Sequence, residues 1–424
     1  MYLDEIVSAQ KRGEARGIPS ICSAHLYVLH ETLRVSKTLR VFPLIESTCN
    51  QVNQFGGYTG MTPADFVRYV HGIAEENQFP FEDIILGGDH LGPNVWQNEP
   101  AESAMQKSAV MVRDYVQAGY FKIHLDCSMK LGDDPDGPLD VEVSAKRAVH
   151  LAKVAEESVG AGLVPARLPR YIIGTEVPIP GGAQGREEAV SVTNVQDVEQ
   201  TIQVTREAFY RAGLQSAWER VVAVVVQPGV EFGDDFVLEY QPEKTKELSK
   251  FIESRSMIYE AHSTDYQTSD ALTELVRDHF AILKVGPALT FAFREAVFAL
   301  AMMEDELFSM DERSNLVRVL DDVMIQHPEH WIKYYRGTEE EQALKRKYSF
   351  SDRIRYYWPD LQVQSALGKL LKNLNEKQIP LSLLSQFAPK QLERIRRKEM
   401  AASPDAIISD SVHEVLRSYQ AACN

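Results

Sequence analysis

The chain has 424 residues, 44% of them hydrophobic and 25% charged, which suits one large globular domain with an appendage. A net charge of -16, from 45 basic against 61 acidic residues, excludes a general nucleic-acid binder, because phosphate backbones need basic surface; a phosphorylated metabolite held by a few local donors remains compatible. Four scattered cysteines without a CxxC pair, no apolar leader segment and no run of eighteen apolar residues lead to the expectation of a reducing cytoplasm and no membrane partner.

Short apolar or β-branched runs recur along the chain, each followed by a polar loop and a segment of helical periodicity, the pattern of βα units. The predicted strands cover 19–24, 41–47, 84–89, 122–127, 171–176, 221–227, 257–262 and 281–286. Helices are expected between them at 63–76, 103–117, 195–211, 242–253 and 269–278. The unbroken apolar run Val221–Val226 reads as a parallel strand covered on its outer face. No GxGxxG follows the first strand and no GxxxxGK[ST] occurs, which disfavours an open doubly wound sheet. Eight units favour closure, so the expected fold is α/β, a (β/α)8 TIM-type barrel over 1–310. From 311 to 424 the strand signal stops, and Pro328, Pro359, Pro380, Pro389 and Pro404 punctuate short helices, read as a helical extension packed on the barrel. Glu339, Glu340 and Glu341 read as solvated surface.

In barrels of this class the functional groups sit at the C-terminal ends of the strands and in the loops after them. Polar residues concentrate there: Glu46 on strand two, Asp89 and His90 on three, His124 and Asp126 on four, Glu176 on five, Gln227 on six, and Glu260, His262 and Asp265 around seven. One such residue is ordinarily structural, but six successive units carrying them are hard to obtain from stability alone. On strand four a period of two puts Lys122, His124 and Asp126 on the inner face, as a buried pair that orders the barrel or as a ligand or base pair. For a divalent metal such as zinc, manganese or magnesium the preferred ligands are His124, Asp126 and His262, with His90, Glu176 and Asp89 in reserve. No local motif supports that set, since ligands from different strands leave none. Lys284 points inward from strand eight as a Schiff-base nucleophile, an electrostatic group or half of a structural ion pair.

Two glycine-bearing loops, 54–60 with Gln54 and Gly57, and 178–182, read as ligand cradles, lid hinges or plain tight turns. For a phosphate, Ser351, Arg353 and Arg355 supply a hydroxyl and two guanidinium groups, and Lys284 with the Gly286 backbone offers a second site at the usual strand-eight position. Pairing with the acidic surface is the other fate open to the arginines.

The runs IESTCNQVNQFGGYTGM at 45–61, GGDHLGPN at 87–94, YEAHSTDYQT at 259–268 and SDRIRYYW at 351–358 resemble the Z subunit family of class II tagatose-1,6-bisphosphate aldolase, collinearly from about Ile21 to the C-terminal region. That family is described as a TIM-barrel-like partner of a separate catalytic aldolase subunit in galactitol and N-acetylgalactosamine breakdown. Relatives act as ketohexose-phosphate 4-epimerases between fructose 6-phosphate and tagatose 6-phosphate. The resemblance implies a phosphorylated ketohexose substrate, a divalent metal ion and, on one branch, a catalytic aldolase subunit as partner; a homo-oligomer is compatible with both. The expected substrate-binding set is Asn50, Gln54, Gly57, Asp89, His90, Gln227, Glu260, Asp265, Ser351, Arg353 and Arg355.

Chemistry joins the two branches. The hydrogen on C4 of a 2-ketose is not α to the C2 carbonyl, so enolisation does not invert that centre. Retro-aldol cleavage of C3–C4 leaves an enediolate, and re-addition to the turned aldehyde inverts C4. The reaction needs a Lewis acid on the C2 and C3 oxygens and a general base at O4, with Glu46, Asp126, Glu176 and Lys284 as the expected catalytic groups. The density of titratable groups favours C4 epimerisation by the chain itself over a non-catalytic, stabilising aldolase subunit. A sugar-phosphate sensor or kinase-like regulator comes third, because no nucleotide-phosphate loop is present.

Overall fold

The computed structural model describes residues 2–160, 167–174 and 190–424. Eight parallel strands close into a barrel in which neighbours in sequence are neighbours in space: β1 Ile18–Cys22, β2 Leu44–Thr48, β3 Ile85–Leu91, β4 Lys122–Leu125, β5 Arg170–Ile173, β6 Val221–Val226, β7 Ile258–Ala261 and β8 Phe280–Val285, which returns to β1. The closed barrel is the one expected from the eight βα units. The strand ends differ in detail: β4 stops at Leu125, before Asp126, and β2 begins at Leu44, after Pro43. A small antiparallel ribbon, Glu231–Phe232 with Val237–Leu238, follows β6 and had no sequence signal, since two-residue strands are too short to show a period.

Helices wrap the outside, and their starts are written in the sequence. The helix Pro63–Glu76 opens with a capping box, in which Thr62 accepts from the Asp65 backbone and Asp65 reaches back to Thr62, followed by proline in the first turn. After Pro287–Leu307 the described residues form only helices and short 3-10 turns. The helix Pro404–Cys423 packs against Leu26–Leu39, Ser269–Arg277 and Pro287–Leu307 and lies over β1. Among the hydrogen bonds that fix it, Tyr419 donates to the Thr264 carbonyl at 2.6 Å, and the Gly17 amide donates to the Cys423 carbonyl at 2.9 Å. One apolar core runs through barrel and extension alike. No described helix is long and apolar enough to cross a membrane.

Two layers of opposite chemistry fill the barrel. Its N-terminal half is apolar, with Ile18, Leu44, Ile85, Phe121, Ile172, Ile258 and Ile282 packed together. The helix Tyr2–Lys11 plugs this end by adding Leu3 and Ile6 to the same cluster. Arg170 at the start of β5 clamps the plug with two hydrogen bonds of 2.7 Å to Asp4. The C-terminal half holds Glu46, Lys122, His124, Glu260 and Lys284, all buried.

Each of Leu3→Ala and Ile6→Ala is expected to cost about 2–5 kcal/mol, the scale of a truncated core side chain, read by urea denaturation. Desolvation opposes ionisation of Asp4, but the hydrogen bond and charge of Arg170 outweigh it and hold the carboxyl below its usual value. That stabilisation is present at neutral pH and lost as pH falls through the depressed value, so Asp4→Asn should flatten the acid limb of the stability profile.

Candidate active site

The charged half of the barrel is a ladder of ion pairs contributed by five strands. Lys122 of β4 places its Nζ 2.5 Å from Glu46 Oε1 of β2 and 2.7 Å from Glu260 Oε2 of β7. Lys284 of β8 contacts the other Glu46 oxygen and lies 2.7 Å from Asp89 Oδ1 of β3. Gly87 makes the first pairing sterically feasible: it stands between Glu46 and Lys122 in the sheet register, and a Cβ there would lie 2.6 Å from the Glu46 side chain.

Three histidines face one another above this ladder, with ring centroids 5.0 to 5.3 Å apart in every pairing of His90, His124 and His262. His124 Nδ1 lies 3.0 Å from Asp89 Oδ1, and His262 Nε2 lies 2.9 Å from Glu260 Oε1. His90 Nδ1 lies 2.8 Å from Asp126 Oδ2, while the other Asp126 oxygen accepts from the Ser128 amide and hydroxyl. Adjacent strand residues normally face opposite ways. Asp89 and His90 both line the site because His90 takes a left-handed backbone, φ 50°, where the β3–β4 register shifts.

Burial alone would neutralise these groups, and the ion pairs reverse that. Desolvation pushes Asp89 and Glu260 up, yet His90 and Lys284 around the first, and Lys122 and Lys284 around the second, hold both well below the usual carboxylate range. Asp126 falls to about 2 against its own desolvation, through His90. Desolvation would lower both lysines and His90, but the carboxylates raise all three. Burial depresses His262 to about 4 despite Glu260. Both lysines are thus held in close ion pairs with buried carboxylates.

Asp89, His124, Glu260 and His262 suit a divalent cation. One ligand atom from each lies within 4.8 Å of all the others, and His124 Nε2 is buried with no hydrogen-bond partner. Four carboxylates, Glu46, Asp89, Asp126 and Glu260, outnumber the two lysines and His90 that pair with them, so the cluster is net negative, which a bound cation would offset. The expected ligand trio is thus brought together only in part. His124 and His262 belong to this cluster, whereas Asp126, beyond the end of β4, has turned both oxygens to His90 and Ser128 and acts as a carboxylate behind a histidine.

A cavity of about 100 Å³ opens on the ladder, walled by Asp89, His90, His262, Asp265, Lys284 and Asn50 among others. It continues into a space of about 300 Å³ through the shared residues Cys22, Gln51, Tyr58, Gly286 and Arg355. Glu46 stands one layer behind the wall. Several expected site residues face elsewhere. Gln54 donates to the Lys107 carbonyl at 3.0 Å, and Gln227 accepts from the Gly229 and Val230 amides to shape a turn. Gly57 serves a turn too tight for a side chain, with φ 55° and the Gln51 carbonyl 2.3 Å from any Cβ. Ser351 bonds Tyr335, and Arg353 is buried against Tyr334 with a hydrogen bond of 3.0 Å to the His330 carbonyl. The strand-eight phosphate seat is not open either, because Asp265 Oδ1 accepts from the Gly286 and Ala288 amides at 3.0 and 2.8 Å and Lys284 is turned to the carboxylates. Glu176 and the 178–182 loop lie outside the described residues. Cys22, Gln51, Tyr58 and Tyr356 also line the cavity; Gln51, Tyr58 and Tyr356 sit inside the quoted runs, which is the signal the sequence offers for them.

Removing the shared cation with Lys122→Met should destabilise the fold by about 3–5 kcal/mol, the cost of orphaning buried carboxylates, measurable by chemical denaturation.

Residues 3–424 match the family described as D-tagatose-1,6-bisphosphate aldolase subunit GatZ/KbaZ-like. The D-tagatose-1,6-bisphosphate aldolase subunit GatZ of Salmonella dublin is 52% identical over 421 residues, spanning 99% of both chains. The subunit of the same name from Klebsiella pneumoniae is 51% identical over 422 residues, spanning 100% of this chain and 99% of that one. Among solved structures, a probable tagatose 6-phosphate kinase from Sinorhizobium meliloti 1021 superposes with a TM-score of 0.89 at 46% identity, covering 96% of this chain and 100% of that one. With its eight-stranded barrel and the runs quoted above spread along that full-length match, the chain belongs to the GatZ/KbaZ-like family of D-tagatose-1,6-bisphosphate aldolase subunits.

Proposed function

We propose that the chain serves tagatose-bisphosphate cleavage as the Z-type subunit of a class II aldolase, beside a separate catalytic subunit. The full-length likeness to subunits of that name carries this reading, at 51–52% identity with no large segment gained or lost. It places the subunit role ahead of C4 epimerisation by the chain alone, the reverse of the order that titratable groups suggest. Adding the purified chain to its catalytic partner is expected to raise the rate of tagatose 1,6-bisphosphate cleavage. The chain alone should leave fructose 6-phosphate unchanged; efficient conversion to tagatose 6-phosphate without a partner would transfer the assignment to the epimerase.

That second reading has its own support in the buried ladder, which a scaffold would not need. Asp89, His124, Glu260 and His262 would hold a zinc, manganese or magnesium ion, which when bound supplies Lewis-acid polarisation of the sugar oxygens. Lys284, in the cavity wall, sets a fixed positive charge where enediolate charge develops during C3–C4 cleavage. His90, steadied by Asp126, is placed to take the O4 proton during cleavage and return it on re-addition. Glu46 then acts through the lysines, and Asp126 through His90, instead of meeting substrate. Under this second reading His90→Gln should fold normally and lower the conversion of fructose 6-phosphate by about 10² to 10⁴, the range for a positioned proton-transfer group. A near-wild-type rate in that assay would remove His90 from the chemistry.

A further inference from the structure

Phosphate in a (β/α)8 barrel usually sits at the loops after the last two strands, against the N-terminus of a helix whose free amides point at it. Here that seat is already taken by the protein's own carboxylate. Asp265, in the loop after β7, draws the Gly286 and Ala288 amides onto one oxygen at 3.0 and 2.8 Å at the start of Pro287–Leu307. A second anion at that terminus would meet this carboxylate, which itself lines the cavity. Lys284 does not offset it, being tied to Glu46 and Asp89.

Arg355 is differently placed. It is half-buried, lines both the small cavity and its wider continuation, and has no carboxylate oxygen within 4.0 Å among the described residues. Its Nη1 is spent on the Ser351 and Asp352 carbonyls, and one Nη2 hydrogen goes to the Tyr356 hydroxyl at 2.9 Å. Nε has no hydrogen-bond partner among the described residues and Nη2 carries a second hydrogen, so the Nε–Nη2 edge of the guanidinium can still donate. That edge is the fork that grips two oxygens of a phosphate at once. Tyr58 and Tyr356, packed edge to face with centroids 4.6 Å apart, flank it. The backbone carbonyls fix the fork before any ligand arrives, which lowers the ordering cost of binding.

We propose that Arg355, and not the strand-eight helix terminus, binds the terminal phosphate of the sugar, and that Asp265 keeps that terminus closed to it. The substrate part of this inference rests on the ketohexose-phosphate reading above. Arg355 lines the same cavity as Asp89, His90, His262 and Lys284, so one ligand can face both.

The test titrates the full chain with inorganic phosphate, followed by phosphorus NMR line broadening, and separately with tagatose 6-phosphate and unphosphorylated tagatose, followed by calorimetry. Arg355→Gln is expected to weaken inorganic phosphate and tagatose 6-phosphate by about 10- to 100-fold, the scale of a lost charge-assisted contact, and to leave tagatose unchanged. Arg355→Lys, which keeps the charge but not the fork, should lose less and serves if the Gln variant does not fold. Asp265→Gly should gain a second phosphate per chain. Unaltered phosphate binding in both Arg355 variants, or no phosphate binding by the wild type, would overturn the assignment. Loss of phosphate binding in the variants while the wild type ignores tagatose 6-phosphate would uphold Arg355 and sink the sugar-phosphate reading instead.

Discussion

Carboxylates and ammonium groups survive inside a protein only where each meets its opposite at close range, because leaving one unpaired away from water costs several kcal/mol. The upper half of this barrel is organised around that condition. Lys122 and Lys284 are shared among Glu46, Asp89 and Glu260, so that β2, β3, β4, β7 and β8 are held in register by charge as well as by backbone hydrogen bonds. A one-residue slip of β4 would swing Lys122 to the outer face and strand two glutamates. The same condition accounts for Gly87, which yields its side-chain volume to the Glu46–Lys122 contact, and for the separation of the interior into an apolar lower layer and a charged upper one.

Such an arrangement is costly as a device for stability, since a well-packed apolar core of similar volume does as well. Its value lies in fixed charge. Dipoles and ions that are already oriented before a reaction do not reorganise during it, which is the advantage a protein interior holds over water. The kink at His90 fits this view: a strained, left-handed residue within a strand is kept where it turns a second titratable side chain into the cavity beside Asp89.

The eight strands are legible in the sequence because their apolar runs are continuous and well spaced, and the charged residues interrupting them mark the inner face. The reading falters where local geometry departs from ideal periods. Period two sends Asp126 to the same place as His124, but β4 ends at Leu125 and the chain turns away. Arg353 and Arg355 look equivalent in SDRIRYYW, yet they sit in a 3-10 turn with three residues per revolution, so positions two apart point in different directions; one is sealed against Tyr334 and the other opens on the cavity. Asp265 is legible as a polar residue near a strand end, but not as the occupant of a helix terminus some twenty residues further along. The plug Tyr2–Lys11 carries no mark that its apolar face closes a barrel instead of lying on a surface.

The position of the helix Pro404–Cys423 bears on how the molecule is made. It covers β1 and lies against the first outer helix, so the first strand of the barrel to leave the ribosome is roofed by a segment almost four hundred residues later. At 5–20 residues per second the outer face of β1 waits roughly 20–80 s for its cover. Throughout that interval the nascent barrel carries an open apolar seam, at the stage when pairing with the wrong chain competes with finishing the fold.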